Sequence, residues 1–383
     1  MKQSRLHNHH VKLGATFEEV AGWNMPAHYG DWLAEHRTVR QSVGLADLSH
    51  RGKIRVTGDD RVKWLQSIIS NDILPLQPGH GRYSSFLTHK GKMLGYFRVY
   101  MQSDAVWLED VGEVGEATFQ ALRKFLLYGT KAKMENCAES WGLLLVSGPK
   151  ACATVSAALG VETSDLKPVN FVTAQIGGHT ALVCRTEETG EDDIEILLPA
   201  EAVVTAWDRL MEAGATHGMK AVGSRAREAL RMEAGLPKAG PDLNEEIVPP
   251  EANLEEKAFS LSKGCYPGQE VVARMDTYGH VRRHLVGLVL EGSTIPRRPI
   301  PRDGADCLRL SAPRLFYSRH ISHHRDQWEA HRSHCPSSPT VPRQITHPIS
   351  LDCGRPTPRV RTPAGFSVPH RRVPTGDASL RHA

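Results

Sequence analysis

The amino-acid sequence changes character after Ile295, and that break constrains the fold more than any other feature. Residues 296–383 hold 13 Pro, 15 Arg and 8 His in 88 residues, with no Lys, Met or Asn. Six acidic residues face those arginines, so the tail carries +9 of a chain total of +4, and the first 295 residues carry −5. Proline removes ladder donors, and a strongly basic stretch with few apolar residues cannot build a core. Only 308–310 and 315–317 suggest strands there. Two readings of the tail stay open: a natural basic, disordered extension that contacts RNA, or a translated frameshift in GC-rich coding DNA, which the Arg/Pro/His/Ser bias favours. Either way, the packed structure is expected from about the first 290 residues.

Within the whole chain, 40% hydrophobic and 23% charged residues are the proportions of a globular protein long enough for two or three domains. No run of 18 apolar residues exists, so no transmembrane helix and no membrane partner are expected. The start lacks an apolar signal region. Seven scattered cysteines suit a reducing cytoplasm, and the absence of C-x-x-C argues against a zinc ribbon or a self-contained cluster-binding run, so no metal ligands are assigned. The acidic balance of the first 295 residues gives no case for direct nucleic-acid binding there.

Hydrophobic periodicity alternates between short strands and helices, which predicts an α+β fold. Strands are expected at 53–56, 83–87, 93–101, 141–146, 180–184, 194–198 and 284–290. The hairpin Thr88-His89-Lys90-Gly91-Lys92 needs a positive φ at glycine. Helices are expected from Asp31 to Val43 and over 62–69, 114–127, 150–159, 199–214, 225–234 with Ser224 as cap, and 269–275. Residues 1–12, with His7, His9 and His10, read as a frayed terminus, and 21–31 as a turn-rich aromatic segment.

The most distinctive stretch is Lys263-Gly264-Cys265-Tyr266-Pro267-Gly268-Gln269-Glu270. Glycines and a proline bracket Cys265, so a tight turn presents its thiol. Lys263 beside it and a helix start at Gln269 would favour the thiolate. A small buried hydrophobe in a turn is the alternative. Glu233, in the last turn of its helix, sits at the unfavourable end of the dipole; it is either a solvated surface carboxylate or one that accepts paired N–H bonds from a ligand.

The octapeptide resembles the signature of the YgfZ proteins, folate-binding relatives of the glycine-cleavage T-protein. The resemblance covers roughly residues 11–290, including 42–50 and the acidic, proline-rich 242–251 loop. It implies a T-protein-like arrangement of mixed sheets and helices around a central folate cavity, with an N-terminal unit over 1–132, a second over 133–290, and an aberrant tail over 291–383 where the family closes a β-barrel. It implies tetrahydrofolate as ligand, Glu233 of Arg231-Met232-Glu233-Ala234-Gly235 as the carboxylate gripping the pterin, and Tyr83, Asn71, Asp72 and Arg274 around it. It also implies Cys265 as the functional thiol in iron–sulfur cluster assembly or repair, iron–sulfur tRNA-modifying enzymes as clients, a cytoplasmic setting and a monomer.

One departure bears on chemistry. Aminomethyltransferases carry Gly-Gly-x-x-Asp-Asp on the hairpin, and this chain has Gly91-Lys92-Met93-Leu94-Gly95-Tyr96. Losing both acids leaves no ionisable group there to assist a reacting amine. The expectation is therefore a folate-binding protein acting in cluster maintenance. A tetrahydrofolate-dependent aminomethyltransferase is the alternative, and a damaged, inactive product is a third reading.

Overall fold

The structure, a computed structural model, describes residues 1–255, 257–278, 281, 284–290, 314–318 and 348–349. Two sheets organise it. The first has five antiparallel strands in the order Gly81–Leu87, Met93–Met101, Ala105–Asp110, Lys53–Thr57 and Lys133–Asn136. The second has six, in the order Phe171–Ile176, His179–Thr186, Asp193–Pro199, Trp141–Ser147, Gly44–Asp47 and Lys220–Ala221, the last pair parallel.

The central strands of both sheets are buried on both faces, which explains their long apolar runs. Side chains alternate between faces along a strand. Leu143 and Leu145 thus join Tyr83, Tyr96, Tyr100 and Trp107 in the core between the sheets. Leu144 and Val146 face the other way, under the helices Ala151–Leu159 and Val203–Gly214. The outer face of the first sheet packs Val56, Val99 and Leu108 with Leu65 and Ile68 of the helix Arg61–Ile68. The α+β expectation holds, and Gly91 has φ +71° in the hairpin.

Lys133–Asn136 bonds to Lys53–Thr57 in the first sheet, while Gly44–Asp47 lies inside the second. Gly44–Asp47 is buried along its length and satisfies its backbone groups only between two other strands. The N-terminus is not frayed. His7–Lys12 forms a helix, and buried His10 bridges Asp47 (3.0 Å) and the Tyr29 hydroxyl (2.8 Å). Trp23–His28 is a strand between Lys2–Gln3 and Thr16–Val20. Ser224 is the first residue of the helix Ser224–Glu233, after an N-cap at Gly223, and its hydroxyl donates to Glu18 instead of capping.

Most of the expectation for 296–383 lies outside the described residues. Arg314–Ser318 does pair antiparallel with His284–Leu290, with Leu315 opposite Gly287, and Pro348–Ile349 bridges the same strand in parallel. No closed barrel is present among the described residues.

Candidate functional site

Between the sheets lies a group of buried charges. Arg98 and Glu109 come from the first sheet, Glu195 from the second, and Arg51 and Glu188 from loops beside them. Arg51 holds Glu188 through two bonds, at 2.9 and 2.7 Å. Arg98 donates to Glu109 (2.5 Å), to both oxygens of Glu195 (3.0 and 2.9 Å), to Glu188 and, through Nε, to the Tyr83 hydroxyl (3.1 Å). Two guanidiniums face three carboxylates, so one proton makes the group neutral. Burial raises Glu195 to about 8; Arg98 opposes this, and Glu109 and Glu188 add to it. Burial opposes ionisation of Glu188 as well, but Arg51 and Arg98 outweigh it and hold that carboxyl far below its ordinary range.

A cavity of about 270 Å³ opens beside Arg51 and Glu188, walled by His50, Gly112 and the helix Ser224–Glu233. Its charges are mostly paired. Arg231 binds Glu228 (2.6 Å) and Asp242 (2.7 Å), and Lys238 binds Glu113 (2.6 Å). Besides the exposed Arg225, two lining groups have no side-chain partner among the described residues. The Arg227 guanidinium makes no hydrogen bond or ion pair, and burial followed by repulsion from Arg51 lowers its pKa to about 10. His50 is 6% exposed, its Nδ1 has no partner, and burial with the Arg227 and Arg51 charges holds its pKa well below the ordinary value. A half-buried cation and a buried neutral imidazole without partners suit a polar ligand with an anionic group.

Glu233 does not line this cavity. It turns away from the cavity, and its Oε2 accepts from His36 (2.9 Å) and Arg40 (2.7 Å), which answers its unfavourable place at the helix end. Burial opposes its ionisation, but those two partners hold its pKa below the ordinary value. Tyr83 lies between the sheets, stacked on Tyr96 with centroids 5.6 Å apart. Asn71 links backbone segments, donating to the carbonyls of Tyr83 (2.9 Å) and Lys257 (3.0 Å). Asp72 accepts from Gln66 and from the Leu74 amide, as a turn residue. Arg274 pairs with Glu270 at 2.5 Å, both largely exposed.

The motif is a clamp. The Lys263 ammonium is buried and donates to the carbonyls of Gln66, Ile69 and Asn71, so it is committed away from the thiol and the thiolate expectation loses its cation. Cys265 is exposed, which corrects the alternative of a buried hydrophobe. Tyr266 is buried and donates to the Ser260 carbonyl (3.2 Å), and Gln269 donates to the Lys263 carbonyl (3.3 Å). Gly268, at φ +80°, presses on the hairpin: a Cβ there would lie 2.5 Å from Thr88 O and 2.7 Å from Gly91 Cα. A Cβ on Gly264 would meet nothing within 4 Å. No group of three metal-ligating side chains occurs, and no helix is long and apolar enough to cross a membrane, among the described residues.

Residues 6–260 match the GCVT N-terminal domain family. The aminomethyltransferase of Caldanaerobacter subterraneus subsp. tengcongensis is 34% identical over 301 residues, 78% of this chain and 79% of that one. The aminomethyltransferase of Prosthecochloris aestuarii is 32% identical over 300 residues, 78% and 82% of the two chains. The glycine cleavage system aminomethyltransferase T from Bartonella henselae superposes with a TM-score of 0.73 at 26% identity, covering 83% of this chain and 90% of that one. These relatives correct the expectation of a cluster-maintenance protein with iron–sulfur clients: along about four fifths of their length they carry the aminomethyltransferase name. The hairpin lacks both acids, but the buried site draws its ionisable groups from loops and from both sheets.

Proposed function

Because this chain belongs to the GCVT N-terminal domain family, we propose that it is a tetrahydrofolate-dependent aminomethyltransferase of the glycine-cleavage type. The observation that carries this reading is the cavity beside Arg227 and His50, in a chain similar to aminomethyltransferases along most of its length.

The residues present fit a folate. Its flat heteroaromatic head offers donors and acceptors to His50 Nδ1, and its carboxylates match the unpaired Arg227 and the exposed Arg225 on the same helix. The cavity, about 270 Å³, is at the small end of the roughly 300–1,000 Å³ seen for organic ligands. It therefore takes part of the molecule and leaves the rest at the mouth. Bound tetrahydrofolate would supply the nitrogen nucleophiles that accept the one-carbon unit.

The chain's own residues bind and orient. Arg227, half-buried at the cavity wall, fixes an anionic group, and its partial removal from water strengthens that attraction. His50, neutral at physiological pH, donates or accepts one hydrogen bond. Glu188, held ionised by Arg51 and Arg98, presents a fixed negative charge at the cavity wall. The two sheets exclude water around it. Within the superfamily, the Lys263–Glu270 octapeptide is our reason for placing the chain near the YgfZ proteins.

Titration calorimetry with tetrahydrofolate, beside an assay for methylenetetrahydrofolate formed from an aminomethyl donor, tests the reading. Arg227→Gln should lose binding at least about tenfold; Cys265→Ser should keep it. Folded wild type that neither binds folate nor turns over would sink the assignment.

A further inference from the structure

The octapeptide that dominates the sequence is not absorbed by the cavity, and its lysine is the most fully engaged group in it. The Lys263 ammonium donates to the carbonyl oxygens of Gln66 and Ile69, both at 2.6 Å, and of Asn71 at 3.1 Å. Gln66 belongs to the helix Arg61–Ile68, and Ile69 and Asn71 follow it directly. A helix C-terminus leaves carbonyls without partners and carries the negative end of the dipole. An internal ammonium with three such acceptors is fully satisfied there. Tyr266 lies beneath it, 5.3 Å from ring centroid to Nζ, and Gln269 holds its own carbonyl at 3.3 Å. The motif thus builds a socket around one charge.

That charge reaches the candidate site by a short series of contacts. The Asn71 side chain donates to the Tyr83 carbonyl at 2.9 Å. Ser70 and Ile69 lace the same turn to the strand Gly81–Leu87, through the Ser70 amide to the Ser85 carbonyl (2.8 Å) and an Ile69–Phe86 bridge. The Tyr83 ring stacks on Tyr96, and its hydroxyl accepts from Arg98 at 3.1 Å. Arg98 in turn holds Glu188 at the cavity wall.

We propose that Lys263 is a positioning residue for the transfer site: by fixing the 69–71 turn it sets Tyr83, and through Tyr83 the orientation of Arg98 and Glu188. This rests on the aminomethyl-transfer reading. It gives the lysine of the motif a task separate from Cys265, which the ammonium does not contact.

The test combines kinetics with amide hydrogen exchange on wild type, Lys263→Met, Lys263→Arg and Asn71→Ala. Asn71→Ala cuts the link without removing the buried charge, so it serves if Lys263→Met does not fold. Expected are a kcat lower by about tenfold or more in Lys263→Met and Asn71→Ala, partial recovery in Lys263→Arg, and faster exchange confined to 66–71 and 81–87 while 141–147 stays protected. Unchanged kcat and unchanged exchange over 81–87 overturn the proposal. Uniformly faster exchange in both sheets also overturns it, since that marks plain destabilisation. If wild type shows no transfer but the variants show the localised exchange, the aminomethyl reading fails while the positioning contact stands.

Discussion

Glu195→Gln separates two views of the buried charges with opposite signs. If Glu195 is an ordinary ionised partner of Arg98, removing its charge should cost about 3–5 kcal/mol, as for other broken buried pairs. The geometry argues otherwise. Three carboxylates share two guanidiniums, and Glu195 is faced by Arg98 and Glu109 from the first sheet, by Arg51 and Glu188 from loops, and by Cys184 and Tyr100. Burial raises it from 4.5 to about 8, so it holds the odd proton at pH 7. The folded pKa lies above the unfolded one for an acid. Between about 4.5 and 8 the unfolded chain has released this proton and the folded chain has not, so the group's contribution to stability falls as pH rises through that window. At about 1.4 kcal/mol per tenfold, the ceiling is about 5 kcal/mol. Relaxation of the guanidiniums toward the new charge should reduce this to about 2–3 kcal/mol. Glutamine mimics the protonated acid, so urea unfolding should find Glu195→Gln close to wild type at pH 5 and more stable than wild type by about 2 kcal/mol at pH 8.5. A variant destabilised by about 3 kcal/mol at both pH values would refute the reasoning.

Other outcomes follow from the same geometry. Asp47 is fully buried; burial opposes its ionisation, but His10 outweighs it and depresses the carboxyl. It thus contributes stability above the ordinary carboxylate pKa that is lost as pH falls below it, and the gap between wild type and Asp47→Asn, about 3–5 kcal/mol at neutral pH, should close in acid unfolding curves. Gly268→Ala, with its positive φ and a Cβ 2.5 Å from Thr88 O, should cost about 2 kcal/mol or more in urea midpoint, whereas Gly264→Ala, with open space, should stay within about 0.5 kcal/mol. Cys265→Ser should leave the melting temperature unchanged, because the thiol is exposed.

Much of the fold was legible because its signals are local. The run Trp141–Ser147 reads as a strand buried on both faces, and the Thr88–Lys92 hairpin announces itself through Gly91. What escaped depends on partners far away in sequence. Phe171–Ile176 and Ala105–Asp110 are strands only because neighbours complete their ladders. The helix His7–Lys12 exists because His10 finds Asp47 and Tyr29, and nothing within those six residues says so. The site divides in the same way. The octapeptide is visible as a motif, but sequence proximity does not show that Lys263, next but one to Cys265 in the chain, caps a remote helix in space. The family pattern points to Glu233, while Arg227 and Glu228 of the same helix wall the cavity. Arg98 and Glu195 did leave a trace, each a charge flanked by apolar residues within a strand, Phe97-Arg98-Val99 and Ile194-Glu195-Ile196. Such a charge must meet a partner inside the protein, and that signal would have found the buried cluster.

The most direct test of the central claim is a turnover measurement: methylenetetrahydrofolate formed by wild type from an aminomethyl donor, with and without tetrahydrofolate, beside Arg227→Gln. The account predicts product that requires tetrahydrofolate and is strongly reduced in the variant. Folded wild type that yields no product with tetrahydrofolate present, or a variant that turns over as fast as wild type, would contradict it.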